Sequence, residues 1–341
     1  MKVVKVGIIG LGRLGKEHAK NLAFHVPNCE LYAACSVVEA ELDFAREALA
    51  VTKLYRDYGE MVQDEAIDAI FIVSPSGLHC EHIQLAMKNG KHVFSEKPIG
   101  LDVAEIEKTM DVIDAHPNQV FMLGFMRRYD ESYQYAKQMV EKGELGELTV
   151  IRSYGIDPSG GLESFVKFAG ASNSGGLFAD MSIHDIDLVR WFSNQEVERV
   201  WAIGKNAAYP ELDAVGELET GAAMMQLTDQ TMAILVAGRN CHHGYHVETE
   251  LIGTKGMLRI AQIPEKNLVT VMNEHGVVRP CSQNFPERFK EAFINETKEF
   301  IRCIQAGEQP GVNANDGLQS TKVAIACQAS YEGKCLVEVP H

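Results

Sequence analysis

The chain has 341 residues, of which 46% are hydrophobic and 23% charged, and its formal net charge is -15. This length predicts two domains, and the negative charge argues against nucleic acid or an anionic membrane as partner. No apolar run approaches the ~20 residues of a membrane span, and the first residues enter a strand pattern, unlike a signal peptide. The eight cysteines contain no CxxC pair, and because disulfide frameworks belong to small secreted chains, we expect free thiols in a reducing cytoplasm.

A glycine-rich motif follows the first strand pattern, which covers residues 5–9. The motif is Gly10-Leu11-Gly12-Arg13-Leu14-Gly15, and a helical stretch comes directly after it. A strand, GxGxxG and a helix in this order predict a dinucleotide site, since the helix N-terminus offers unpaired N–H groups to phosphates. The alternative is a tight turn between strand and helix that only packs well.

The second strand, residues 30–35, is expected to end beside the adenosine ribose. An acidic residue there normally binds the ribose hydroxyls of NAD, but Ser36 and Val37 occupy this position. Glu39 lies close by and could replace the missing acid, and no arginine offers a site for a 2′-phosphate. We therefore predict NAD as the cofactor, with tolerance of NADP left open.

Strands and helices alternate through the first part of the chain, which predicts a parallel, doubly wound α/β sheet for residues 1–123. Its strand ends bring four loop residues to one side of the sheet, namely Gly10, Ser36, Ser74 and Lys97. The remaining strands are expected at 68–73, 91–94 and 119–123, with helices at 81–88 and 101–115.

Residues 124–341 show a different pattern and are predicted to form a second α/β domain. Short strands spaced 8–12 residues apart indicate a large, mostly antiparallel sheet, and an exposed face of that sheet would favour self-association. The strands are expected at 149–154, 197–204, 221–227, 231–238, 246–253, 257–260 and 268–272. Helices are expected at 132–142, 287–306 and 318–332, the last capped by Asn315-Asp316.

Glu96-Lys97-Pro98 stands at the end of the fourth strand pattern. Proline disfavours helical geometry in the residue before it, so we expect Lys97 on an extended turn. Ligands of open α/β sheets bind beyond the carboxyl ends of the strands. The sequence thus predicts a functional lysine, the alternative being a surface Glu-Lys pair.

A second constellation lies on a largely apolar helix that begins near residue 180. Asp180 and His184 are four residues apart and can share one helical face, behind a segment at 172–176 that we expect to be flexible. The alternatives are an N-cap role for Asp180 and a core role for the histidine. The histidine-rich run 241–246 is not predicted to bind metal, because adjacent residues on a strand point to opposite faces.

Together with Gly124-Phe125-Met126-Arg127-Arg128-Tyr129-Asp130, these motifs resemble the Gfo/Idh/MocA oxidoreductase family, most closely its inositol dehydrogenases. The resemblance implies a Rossmann domain, a second domain whose open sheet commonly builds a tetramer, and catalysis by Lys97, Asp180 and His184. Polyol contacts are implied at Lys97, Arg127, Asp157, Asp180, Met181, His184 and Tyr245. Cofactor contacts are implied at Gly10, Gly12, Arg13, Leu14, Ser36, Val37, Ser74, Pro75, His79, Glu96, Lys97 and Met126.

The chain departs from the myo-inositol enzymes at Gly155, at Asp157 and in the longer stretch 160–176, which favours scyllo-inositol. His184 is expected to be the general base, oriented by Asp180, while Lys97 stabilises alkoxide charge. Two other hypotheses are kept: an enzyme of the family that acts on another sugar, such as glucose, and a non-catalytic NAD-binding regulator.

Overall fold

The computed structural model describes residues 2–169, 175–261, 265–274 and 276–340. The chain divides into two compact units, one of Met1–Tyr129 with Glu291–Leu318, the other of Asp130–Lys290 with Gln319–His341. Within the described ranges, no helix is long and apolar enough to cross a membrane. Residues 172–174 of the segment that we expected to be flexible lie outside these ranges.

The first unit is built on a six-stranded parallel sheet with the strand order β3-β2-β1-β4-β5-β6. Its strands are β1 Val4–Ile9, β2 Cys29–Cys35, β3 Lys53–Tyr55, β4 Ala69–Ile72, β5 His92–Glu96 and β6 Phe121–Gly124. This is the order of a doubly wound dinucleotide-binding fold, so the predicted parallel sheet is confirmed. The short strand β3 was not predicted, because three residues carry too little of a period-2 pattern.

Helices of the first unit connect these parallel strands. They are α1 Arg13–Phe24, α2 Glu39–Leu49, α3 Tyr58–Gln63, α4 His79–Lys88 and α5 Val103–Asp114. The side chain of Asp102 caps α5 by accepting a hydrogen bond from the Glu105 N–H. Phe71 and Phe94 stack in the core with their ring centroids 4.3 Å apart.

The second unit is built on a seven-stranded sheet with the order β12-β11-β7-β10-β9-β8-β15, in which only β7 and β10 run parallel. Its strands are β7 Leu148–Pro158, β8 Val197–Lys205, β9 Thr220–Leu227, β10 Met232–Cys241, β11 His246–Gly253, β12 Met257–Ile260 and β15 Val337–Glu338. The mostly antiparallel sheet is thus confirmed. The strand expected at 268–272 is instead β13, Val271–Asn273, which pairs with β14, Gly276–Val278, in a separate ribbon.

Further α-helices follow β6 along the described parts of the chain. They are α6 Glu131–Glu141, α7 Leu162–Ala169, α8 Ile183–Ser193, α9 Phe285–Ala306 and α10 Ala314–Gly333. The expected cap of the last helix was wrong, because Asn315 and Asp316 lie in its first turn. Asn313 precedes the helix, and its side-chain oxygen accepts hydrogen bonds from the N–H groups of both residues.

The two faces of the seven-stranded sheet differ. One face packs on helices, where the Tyr133 hydroxyl of α6 lies 3.0 Å from the Thr249 hydroxyl of β11. The other face exposes large apolar side chains from four strands, which are Trp201, Ile203, Met224, Met232 and Met257. An open face of this kind marks an association surface in many proteins.

Candidate functional site

The glycine-rich loop between β1 and α1 leaves no room for larger residues at two positions. Gly10 has a φ of +87°, and a Cβ there would lie 2.4 Å from the Val73 carbonyl oxygen. A Cβ on Gly15 would lie 2.0 Å from the Gly10 carbonyl oxygen. The loop therefore packs backbone against backbone where β1 and β4 end, which is the switch point of the strand order.

Gly12 differs from both of these glycines. It stands at the N-cap of α1, which has no side-chain cap, and a Cβ on it would meet no atom within 4 Å. Arg13 and Leu14 form the first turn of the helix, whose N–H groups point to the same end. The open space beside a helix N-terminus fits a pyrophosphate, so these residues suit a dinucleotide.

A carboxylate lies at the end of β2, but it belongs to Glu41 and not to Glu39, the residue expected from the sequence. The Ser36 hydroxyl donates to Glu41 Oε2 at 2.6 Å, and the Leu11 N–H donates to the same oxygen at 3.3 Å. Glu39, proposed from the sequence to replace the missing acid, is instead paired with Arg56. The sequence analysis missed Glu41 because this residue lies in the first turn of α2, beyond the end of the strand. Val37, also predicted to contact the cofactor, has a side chain that is 82% exposed.

The loops after β4 and β5 are joined through His79. Its ring nitrogens lie 2.7 Å from the Pro98 carbonyl oxygen and 2.8 Å from the Ser74 carbonyl oxygen. Burial lowers the pKa of His79, while each ring nitrogen faces a carbonyl oxygen that accepts a hydrogen bond when that nitrogen carries a proton. His79 thus positions the turn that carries Lys97. Pro75, in the loop after β4, is exposed.

Glu96 is buried directly before Lys97. Its Oε1 lies 2.7 Å from Nε2 of the fully buried His18, and its Oε2 accepts from the Lys97 N–H at 3.2 Å. A Cβ on Gly124 would come within 3.3 Å of this carboxyl group. Lys97 itself is half-buried and reaches Pro98 through a cis peptide bond.

In the run from Met126 to Asp130, the first two residues are buried in a turn and two later residues form ion pairs. Met126 and Arg127 are both 3% exposed and lie on a 3-10 turn after β6. Arg128 donates to Asp316 Oδ1 at 2.9 Å. Asp130 caps α6 by accepting from the N–H groups of the second and third helical residues, and Arg288 donates to its other oxygen at 2.7 Å.

Asp180 and Met181 lie on a π-helical turn, Phe178–Ser182, that leads into α8. The alternative of Asp180 as an N-cap is therefore wrong, because the helical backbone continues on both sides of it. His184 stands in the first turn of α8 and is 9% exposed. Single π turns occur frequently at functional sites, which agrees with the prediction of a site here.

Arg239 of β10 contacts the predicted site residue Asp180, a contact that the sequence did not indicate. Its Nη1 donates to Asp180 Oδ2 at 2.9 Å, and its guanidinium lies over the Phe165 ring. Only 7% of its side chain is exposed. Arg239 and Asp180 are 59 residues apart, so no local spacing could have connected them.

Two further predicted substrate contacts lie beside β10. Asp157 stands near the end of β7, the strand that runs parallel to β10. Tyr245 precedes β11, is 6% exposed, and its N–H donates to the Ser282 carbonyl oxygen at 2.8 Å. The residues between Cys241 and His246 form a turn, so the strand alternation used to argue against a metal there was wrong.

Sequence profiles of one family cover most of the chain. The GFO/IDH/MocA profile, described as an oxidoreductase family with an NAD-binding Rossmann fold, matches residues 4–125. The profile of the GFO/IDH/MocA C-terminal domain matches residues 133–259. The myo-inositol 2-dehydrogenase of Thermotoga maritima is 30% identical over 98% of this chain and 98% of its own length.

Solved structures resemble the chain over nearly its whole length. The scyllo-inositol dehydrogenase of Lactobacillus casei with bound NAD(H) and scyllo-inositol is 62% identical, with a TM-score of 0.97 and coverage of 99% of both chains. The myo-inositol 2-dehydrogenase of Lactobacillus plantarum is 46% identical, also with a TM-score of 0.97, over 99% of this chain and 100% of its own.

Proposed function

Because the chain belongs to the Gfo/Idh/MocA oxidoreductase family, we propose that it is an NAD-dependent inositol dehydrogenase. It oxidises a ring hydroxyl of scyllo-inositol, or of myo-inositol, to the keto-inositol. The observation that carries this proposal is the 62% identity to a scyllo-inositol dehydrogenase with bound NAD(H) and substrate. We propose that this oxidation serves inositol catabolism.

The proposed reaction removes a proton from the hydroxyl oxygen and a hydride from the same carbon. NAD supplies the acceptor for the hydride. His184 takes the proton as general base. Asp180, held by Arg239 at 2.9 Å, keeps the imidazole oriented, and the Lys97 ammonium stabilises the alkoxide charge that develops on the substrate.

We assign cofactor binding to residues 1–123 and substrate binding and assembly to residues 124–341. The first assignment is supported by the open space beside Gly12 and by the uncapped N-terminus of α1. Ser36, Ser74, His79, Glu96 and Met126 remain proposed members of the cofactor site. Substrate contacts are proposed for Lys97, Arg127, Asp157, Asp180, Met181, His184 and Tyr245.

Preference for NAD over NADP is supported by Glu41. Its carboxylate contacts Ser36 at the end of β2, where the adenosine ribose of a doubly wound fold is expected. A negative charge there repels a 2′-phosphate. We therefore propose NAD as the working cofactor.

The first experiment measures initial rates of NAD reduction with scyllo-inositol, myo-inositol and glucose, repeated with NADP. A clear rate with one inositol establishes the enzyme and names the epimer. A rate with glucose alone would favour the second candidate, a dehydrogenase of another sugar. Tight NAD binding without turnover of any polyol would favour the regulator, although retention of Lys97, Asp180 and His184 argues for catalysis.

We further propose a homotetramer that works in the cytoplasm. The open sheet face supports the assembly, since Trp201, Ile203 and Met224 are each 43% exposed or more. The location is supported by the cysteines, all eight of which are in the free form. A membrane or nucleic-acid partner is not part of the proposal.

Trp201→Glu is expected to dissociate the assembly, because it places a charge in the apolar face. Tyr135→Glu, which changes a 66% exposed aromatic residue on α6, is the matched control. Molar mass from light scattering provides the measurement. An unchanged mass for Trp201→Glu, or an equal drop for Tyr135→Glu, would contradict an interface on this face.

A further inference from the structure

The turn between β10 and β11 gathers side chains that bind metals. β10 ends at Cys241 and β11 begins at His246, with His243 between them. Gly244 shapes this turn with a φ of +130°, and a Cβ there would lie 2.7 Å from the Ser282 carbonyl oxygen. The backbone conformation, and not strand alternation, thus sets where the two imidazoles lie.

Two of the three distances in this group are close to the edges of a tetrahedral zinc site, and Cys241 Sγ lies 3.5 Å from the other ring nitrogen of His243 as well. His243 Nε2 lies 3.4 Å from Cys241 Sγ and 3.2 Å from His246 Nδ1, and one ligand atom from each residue lies within 4.8 Å of the others. Zinc bonds of ~2.3 Å to sulfur and ~2.0 Å to nitrogen give tetrahedral edges of about 3.5 Å and about 3.3 Å. Small side-chain rotations would therefore bring all three ligand atoms onto one ion.

A carboxylate completes the outer side of the group. His246 Nε2 lies 3.3 Å from Glu248 Oε2, and the His246 ring stacks on Tyr154 with centroids 5.7 Å apart. A carboxylate that accepts from the second nitrogen of a histidine orients its first nitrogen toward a metal. This arrangement leaves Nδ1 facing His243.

The three side chains differ in exposure, so an ion can reach the group from solvent on the side of His243. Cys241 is buried, His246 is half-buried and His243 is exposed. A thiolate and two imidazoles form a borderline-soft ligand set that suits zinc better than calcium or magnesium. Three protein ligands leave a fourth position for water.

We propose that Cys241, His243 and His246 form a binding site for Zn²⁺ or a divalent cation of similar softness. Binding displaces the thiol proton of Cys241, so that the thiolate sulfur and two neutral imidazole nitrogens hold the ion. This site goes beyond the dehydrogenase reaction and does not depend on it.

The test uses the full chain, stripped with a chelator and kept reduced. Equilibrium dialysis against ZnCl₂ with elemental analysis is expected to give one zinc per chain. Substitution by Co²⁺ is expected to give a thiolate-to-metal charge-transfer band. Cys241→Ser should abolish this band, and His243→Gln should weaken zinc binding by about tenfold or more.

Two matched variants separate this site from adventitious binding. His242→Gln changes the exposed neighbour of His243, and Cys335→Ser removes an exposed thiol; both should keep the zinc and the cobalt band. The proposal is overturned if the stripped natural chain takes up no more zinc than Cys241→Ser. It is also overturned if His242→Gln loses as much zinc binding as His243→Gln, or Cys335→Ser as much as Cys241→Ser. NAD binding by the same samples reports folding, and inositol turnover tests the dehydrogenase proposal separately.

Discussion

Lys97 follows the buried Glu96 at the end of β5 and is half-buried. We expect Lys97→Ala to lower kcat by about 10²- to 10³-fold, because an ammonium that stabilises an alkoxide acts in the transition state. The dissociation constant for NAD should change much less. Lys108→Ala, at an exposed position of α5, is the control, and near-normal turnover of Lys97→Ala would remove this lysine from the mechanism.

Glu41 provides a second prediction for a single residue. Glu41→Gln keeps an oxygen for the Ser36 hydroxyl but removes the charge that repels a 2′-phosphate. The ratio of kcat/KM for NADP to that for NAD should rise about tenfold, or ~1.4 kcal/mol. Glu39→Gln, at the carboxylate that Arg56 binds, should leave the ratio unchanged, and an equal rise in both variants would refute the role of Glu41.

The start of α1 allows a paired test of one element. Gly12→Ala places a methyl group in open space, so it should fold normally while weakening NAD binding about tenfold, or ~1.4 kcal/mol. Gly15→Ala forces a Cβ to within 2.0 Å of the Gly10 carbonyl oxygen, which should cost about 2 kcal/mol of stability. Denaturation midpoints and calorimetric titration with NAD measure both effects. Unchanged NAD affinity in a folded Gly12→Ala would move the pyrophosphate elsewhere.

The stability of the whole molecule is linked to a carboxyl group buried in α9. Burial, with a smaller contribution from Glu96, raises the pKa of Glu296 well above its ordinary 4.5. One of its carboxyl oxygens lies within 4.8 Å of a ring nitrogen of His18 and a carboxyl oxygen of Glu96. Burial, and after it the negative charge of Glu296, raises the pKa of Tyr129. Neither oxygen of Glu296 has a hydrogen-bond partner among the described residues. The folded chain therefore keeps this proton to a higher pH than the unfolded chain does.

The sign of the pH dependence follows from this proton. Below pH 4.5 both the folded and the unfolded chain hold it, so it adds no slope there. Above pH 4.5 only the folded chain holds it, and stability falls by about 1.4 kcal/mol per pH unit until the raised pKa is reached. Glu296→Gln lacks this loss, so its stability relative to the natural chain should increase from pH 5 to pH 8.

Urea denaturation across that pH range provides the measurement. Glu291→Gln, at an exposed position of the same helix, should follow the natural chain. Parallel curves for Glu296→Gln and the natural chain would mean that the carboxyl group is ionised in the folded state.

Local patterns in the sequence determined the elements and the two sheets. Strand periodicity and the GxGxxG motif predicted the parallel sheet, because side chains that alternate or run apolar record which face is buried. The same reading predicted the mostly antiparallel sheet and the motifs around Lys97 and Asp180. It missed β3, which is too short for a period, and it gave no bounds for the helices α2, α3 and α7. It also assigned residues 268–272 to the main sheet, since a strand pattern does not name its partner.

The tertiary structure alone decided which distant residues meet. Arg239 reaches Asp180, Glu41 replaces Glu39 at the end of β2, and Glu296 joins His18 and Glu96. The contacts of Arg239 and Glu296 depend on packing between elements far apart in the chain, which leaves no trace in residue spacing, whereas the contact of Glu41 depends on how α2 begins after β2. Cys241, His243 and His246 are close in the sequence, but they converge because Gly244 adopts a backbone conformation that only the folded turn reveals.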